Sequence, residues 1–302
     1  MRLLLLGGTV FLGRALAEAA LARGDEVTLF TRGQSNPGLF PGAERLTGDR
    51  RGDLSALEGR EWDVVIDTSG YEPDEVRASV AALNGSVERY VFVSSISVYA
   101  DFSRGPDEDA PLRDGDDYGG AKARCEHELP DGSLVVRPGL IAGPHDPTGR
   151  FTYWAHRGAR GGELLVPGSP ERQVQLIDVR DLAAWMLRLA DERRSGVLNA
   201  TGTHTWRELV DALPGEATPV WVDDAFLLEQ GVGEWMELPL WIASATHAGM
   251  LDVDASRAHA AGLTVRPLAE TARAALEHAE LSPEAGLSAE REHALLAAWR
   301  SR

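Results

Sequence analysis

Lysine is almost absent from this chain of 302 residues: all but one of its 30 basic side chains are arginine, and the exception is Lys122. Cysteine is as scarce. Cys125 stands alone, which excludes an intrachain disulfide and fits a reducing, cytoplasmic compartment. Its own role reads as helix packing. Basic charge is also short. Asp and Glu total 47 against those 30, for a net charge of −17. That balance excludes the basic surface needed for nonspecific binding to nucleic acid or to an anionic membrane. It leaves a small molecule as the expected partner of a monomer or homodimer. Long apolar runs are missing too. The leucines Leu3–Leu6 are too few for a signal peptide or a membrane span and read as a buried strand. The eight histidines are dispersed, and no HExxH or cysteine cluster exists, so no metal site is expected.

What is present is alternation. Residues 3–6, 26–30, 45–47, 63–67, 90–95, 134–138 and 196–200 read as strands. Helices are expected over 12–23, over about 74–83 with Asp74 as its cap, around Tyr118, and over 181–193. Strand–helix alternation of this kind predicts an α/β fold, a Rossmann-type doubly wound parallel sheet. Past Thr201 strands become scarce, and helices are expected at 205–213, 255–261, 268–279 and 288–300. Six of the eight tryptophans lie between 150 and 241 and are candidates to line an apolar pocket. The expected organisation is a nucleotide-binding domain of residues 1–144 and 173–201. A smaller, mostly helical substrate domain of residues 145–172 and 202–302 covers it.

Two motifs carry chemistry. The first strand runs into Gly7-Gly8-Thr9-Val10-Phe11-Leu12-Gly13. A glycine turn between a strand and a helix is where a dinucleotide pyrophosphate sits on backbone N–H groups. Gly7 allows the tight turn and Gly13 a close helix–strand contact. Strand two ends in Thr31-Arg32, where NAD-specific folds offer an acid to the ribose. An arginine there suits a 2′-phosphate, so NADP(H) is expected in preference to NAD(H). Asp49 is expected to meet the adenine amino group. The second motif is Tyr118-x-x-x-Lys122. On a helix, residues four apart share a face. A nearby ammonium favours the phenolate, so the pair is expected to lower the Tyr118 pKa toward neutrality for proton exchange.

With GGTVFLG, VFVSSISVYA, YGGAK, RPGLIAGP and IDVRDLA in order, the chain resembles the extended, atypical short-chain dehydrogenase/reductase superfamily, more narrowly its NAD-dependent epimerase/dehydratase-like group. The resemblance covers most of residues 1–200. It implies a seven-stranded sheet, a nicotinamide cofactor and a catalytic serine, tyrosine and lysine at Ser95, Tyr118 and Lys122. Arg50, Thr68, Ser69, Pro138 and Leu140 join the cofactor candidates, with Pro138 and Leu140 holding the nicotinamide amide. Ser97, His145, Arg150 and Tyr153 are substrate-side candidates, and Asp146 is expected at the cleft mouth with them. The chain departs from the pattern in four places. Val10 replaces the middle glycine of the turn. The string Ile141-Ala142-Gly143-Pro144 lacks the asparagine that nucleotide-sugar enzymes carry. Val174 stands where those enzymes have an arginine, with Arg172 out of register. Ile96 and Ser97 replace the two acids of the sugar dehydratases. These departures count against dehydration and against a nucleotide-sugar substrate. The expected reaction is hydride transfer to or from a carbonyl or alcohol. The alternatives are an epimerase of the same fold, or a non-catalytic NADP-sensing or RNA-associated relative, since GGTxFxG turns occur in chloroplast RNA-binding members of the superfamily.

Overall fold

In the computed structural model, which describes residues 1–282 and 285–302, the chain runs β1 (Arg2–Leu6), α1 (Phe11–Ala22), β2 (Glu26–Thr31), β3 (Glu44–Thr47), β4 (Val64–Asp67), α2 (Pro73–Ala82), β5 (Tyr90–Val93), α3 (Tyr118–Glu126), β6 (Leu134–Pro138), β7 (Ile141–Ala142), α4 (Arg150–Ala159), β8 (Gly162–Pro167), β9 (Gln173–Asp178), α5 (Val179–Asp191), β10 (Gly196–Ala200), β11 (Gly202–Thr205), α6 (Trp206–Asp211), β12 (Ala217–Val222), α7 (Asp224–Glu229), α8 (Ser256–Ala260), α9 (Leu268–His278) and α10 (Ala289–Arg300). Seven strands form one sheet in the order β10-β6-β5-β4-β1-β2-β3, and every pairing in it is parallel.

The leucine run explains the centre of that sheet. β1 lies between β2 and β4, and Leu3, Leu4, Leu5 and Leu6 are at most 1% exposed. Leu3 and Leu5 pack with α1 and α5 on one face. Leu4 and Leu6 pack on the other with Val76 of α2 and Cys125 of α3. Successive strand residues point to opposite faces, so a strand covered on both sides needs no polar alternation. Burying each leucine contributes about 1.5–3 kcal/mol.

A separate apolar cluster is built from α4, β8, β9, α6, β12, α7, α9 and α10. Trp154, Trp206 and Trp241 are its largest buried side chains. Trp154 and Trp206 meet edge-on, with ring centroids 4.9 Å apart. The Trp154 indole N–H donates to the Pro239 carbonyl and that of Trp241 to Asp224. The tryptophans are therefore mainly core, not pocket lining; among the described residues only Trp235 reaches the cavity described below.

The elements differ from expectation in four details. α2 starts two residues earlier than an Asp74 cap requires, because Pro73 takes the first helical position with Glu72 before it; the fixed φ of proline suits that position. Asp74 pairs with Arg77 instead. β5 ends at Val93, since the Ser95 hydroxyl accepts from the Ser97 N–H and turns the chain into a short 3₁₀ segment. α5 begins at Val179, capped by the Asp178 carboxylate. The stretch 145–172 holds a helix and a strand, and strands continue past Thr201: β12 pairs with β8 in parallel, and β11 with β9 antiparallel. These short strands sit on the second core rather than in the main sheet, so the strand–helix rhythm does not announce them.

Candidate functional site

The carboxyl ends of the central strands open into one cavity of about 850 Å³. At one end lies the glycine turn. Gly7 and Gly8 have φ of +112° and +101°, and a β-carbon there would stand 2.5 Å from Thr68 Oγ1 or 2.7 Å from a Leu29 methyl. Gly13 lets α1 approach the turn itself: a β-carbon would lie 2.6 Å from the Gly8 nitrogen. α1 starts with no side-chain cap and no acid in its first turn. Its first N–H groups are left to a ligand or to water, and they attract negative charge. Val10 is exposed at this spot. Thr9, Phe11 and Leu12 line the cavity beside it, and the Asn36 amide ties the next loop to the Thr9 carbonyl at 2.9 Å. Arg32 is exposed at the cavity wall beyond β2.

Beneath the turn is a buried ionic floor. Asp67, at the end of β4, is 0% exposed. It accepts two hydrogen bonds of 2.7 Å from Arg50, one from the Tyr90 hydroxyl and one from the Ser69 N–H. Burial pushes its pKa up, but Arg50 outweighs that and holds it below the ordinary carboxylate value. Arg50 lines the cavity, yet its guanidinium is committed to this carboxylate. Thr68 and Ser69 both donate to the Leu6 carbonyl. Asp49 lines the cavity, and its carboxylate accepts from the Arg51 N–H.

Ser95, Ser97, Tyr118 and Lys122 meet on the same cavity, with Pro138 at the end of β6 and Leu140 just beyond it. Tyr118 is the first residue of α3, following the Asp117 cap. Its ring is 53% exposed, but loss of water around the phenol raises its pKa, and the Ser95 hydroxyl only partly opposes the rise. Lys122 is 2% exposed. Its ammonium donates to the Gly70 and Val93 carbonyls at 2.8 and 2.6 Å and lies over the Phe92 ring at 4.2 Å and the Tyr71 ring at 5.5 Å. Burial lowers its pKa to about 8, against the pull of Asp67. The expectation that Lys122 draws the Tyr118 pKa down is therefore corrected. Helical spacing brings the two residues to one side, but the ammonium turns inward to two carbonyls while the phenol stays at the surface of the cleft. Cys125 is fully buried, and its thiol is pushed up by burial to about 11.

Two substrate-side candidates lie outside the cavity lining. His145 adopts φ of +65°, donates its N–H to the His278 carbonyl and stacks beside that histidine. Tyr153 faces the second core, edge-on to Trp154, where only a glycine at 286 leaves it room. Asp146 is buried short of the cleft mouth. Arg150 does line the cavity, with Trp235 behind it. Tyr71, Trp235 and Met250 also line it; Trp235 was among the tryptophans read as pocket candidates, whereas Tyr71 and Met250 were not singled out from the sequence. Tyr71 had a usable signal, as the residue after Gly70 in the turn that follows the buried strand β4. Trp235 and Met250 come from segments without periodic pattern.

Residues 74–201 match the sequence profile of the NAD dependent epimerase/dehydratase family. The chloroplast stem-loop binding protein of 41 kDa b from Arabidopsis thaliana is 32% identical over 230 residues, which are 67% of this chain and 58% of that protein. The chain thus spans less than two thirds of that relative. The epimerase family protein SDR39U1 of Bos taurus is 29% identical over 226 residues, 66% of this chain and 74% of that protein. The structure of human SDR39U1 (isoform2) with NADPH superposes with a TM-score of 0.63 at 22% identity, covering 92% of this chain and 99% of that one.

Proposed function

From the premise that residues 74–201 belong to the NAD dependent epimerase/dehydratase family, we propose that this chain is an oxidoreductase. It would use NADP(H) in preference to NAD(H) and move a hydride to or from a carbonyl or alcohol of a small molecule. The observation that carries the reading is the continuity of one cavity from the glycine turn to Ser95, Tyr118 and Lys122. The residues fit such a cofactor. Gly7, Gly8 and Gly13 leave a cradle that β-carbons would fill, and the uncapped start of α1 suits a pyrophosphate. Arg32, with no acid beside it among the described residues, suits a 2′-phosphate.

The cofactor, when bound, supplies the hydride donor or acceptor. Ser95 orients the substrate oxygen by hydrogen bonding. Tyr118, whose raised pKa keeps the phenol protonated at neutral pH, gives its proton to that oxygen in the reducing direction. Lys122 spends two of its three donors on carbonyls; the third is left for a ribose hydroxyl. His145 and Tyr153 have no part in this reading.

A second reading, a binding protein without turnover, is favoured by the name of the Arabidopsis relative. The net charge of −17 opposes an RNA partner. The test is oxidation of NADPH, followed by absorbance, against a panel of aldehydes and ketones, with Tyr118→Phe in parallel. Turnover that is lost in Tyr118→Phe supports the reductase. NADPH binding without turnover on any carbonyl supports the binding protein.

A further inference from the structure

Four arginines line the cavity. Arg50 is closed on Asp67 and Arg51 on Glu75, and Arg32 stands in solvent. Arg150, the first residue of α4, is different. Among the described residues no carboxylate lies within ion-pair reach of it. Its Nε is buried without a partner, as is that of Arg50, but the one hydrogen bond of its guanidinium goes to the Met236 sulfur at 3.5 Å. The flat of the guanidinium backs on the Trp235 ring, 5.4 Å from its centroid. A guanidinium has five donors and a thioether is a weak acceptor, so most of its capacity has no protein partner at the cavity wall. Elsewhere in the interior this chain closes such cations: Arg137 on Glu126 and Arg157 on Glu292.

Resting on the reading of the cavity as a nicotinamide-dependent site, we propose that Arg150 recognises a carboxylate carried by the substrate. A planar guanidinium with one face blocked by an indole offers its free edge, and a carboxylate fits that edge with two parallel hydrogen bonds. Arg150 shares the cavity wall with Tyr118 and is near enough to act on the phenol electrostatically. The carboxylate therefore sits a few bonds from the oxygen that exchanges its proton with Tyr118. The substrate class is an oxo or hydroxy acid, a sugar acid included. The cofactor phosphates have their own fittings at the glycine turn and Arg32, away from this wall. One internal competitor exists. Asp146 is buried, has an oxygen with no partner, and has its pKa raised by burial. If Arg150 swung onto Asp146, it would be a structural ion pair instead.

The experiment is calorimetric titration of the NADPH-loaded protein with two matched pairs: D-glucuronate against D-glucuronamide, and lactate against lactamide. The wild type is expected to bind at least one acid ten times or more tighter than its amide. Arg150→Met is expected to erase that difference while leaving NADPH affinity within a factor of two or three. Equal binding of acid and amide in both pairs would overturn the proposal, as would no binding of either acid. A tenfold loss of NADPH affinity in Arg150→Met would assign the side chain to the cofactor. A fall in melting temperature of the ligand-free variant, with no acid selectivity in the wild type, would assign it to Asp146. Failure of the wild type to bind NADPH at all would instead sink the nicotinamide reading beneath it.

Discussion

Arg50 and Arg150 line one cavity and live in opposite surroundings. Arg50 meets a fully buried carboxylate with two hydrogen bonds, and that carboxylate also takes a phenol and a backbone N–H. Arg150 meets an aromatic face and a sulfur. The first arrangement has its charge paired without a ligand, with only the Arg50 Nε left unpartnered, so it reads as scaffold: it fixes the end of β4 and the turn that carries Gly70 and Tyr71. The second is incomplete, and incompleteness at a cavity wall points to what the cavity holds. Proximity to a cleft therefore does not separate scaffold from site; the state of each side chain's partners does.

The sharpest way to break that contrast is to strip the scaffold pair. Asp67→Ala leaves Arg50 buried and uncompensated and is expected to cost about 3–5 kcal/mol of stability, seen as a lower midpoint in urea unfolding. An Asp67→Ala protein as stable as the parent would mean the pair is no scaffold. Next is Tyr118→Phe, which removes the proton but keeps the ring. Turnover is expected to fall by at least about 10²-fold, with NADPH binding retained; unchanged turnover would remove Tyr118 from the chemistry. A smaller effect is expected at the other end of the cavity. Arg32→Ala is expected to reduce the preference for NADPH over NADH by roughly tenfold, about one charge-assisted hydrogen bond, as read from paired titrations.

The last effect concerns pH. The unfolded chain keeps the Lys122 proton up to the ordinary value of 10.5, while the folded protein keeps it only to about 8. Between those values the unfolded state binds more protons, so this group makes stability rise with pH across that window. In Lys122→Met the contribution disappears, and a comparison of melting temperatures at pH 7 and 9.5 measures it. If the ammonium also holds a ribose hydroxyl, NADPH affinity falls as pH rises through about 8, in the opposite sense to stability.

Much of the fold was legible because the leucines of β1 and the other strand runs are unbroken, and helices with apolar faces separate them. The glycine turn and the Tyr118–Lys122 spacing were legible because backbone space and helical period dictate both. Side-chain direction was not. His145 and Tyr153 sit close in sequence to Arg150, yet a left-handed backbone at 145 turns the first away, and the second packs edge-on to Trp154 in the space left by Gly286. The inward turn of Lys122 depends on the Gly70 and Val93 carbonyls, which belong to the loop after β4 and to the end of β5 and leave no mark at the spacing of four. Arg50 looked like a cofactor ligand because nothing in the sequence joins it to Asp67.

The central claim, that the glycine turn, Arg32 and Tyr118 share one nicotinamide dinucleotide site, is tested most directly by calorimetric titration of the unmodified protein with NADPH and with NADH. The account predicts binding at one site per chain, tighter for NADPH. Tighter binding of NADH would contradict the role given to Arg32, and no binding of either would contradict the site as a whole.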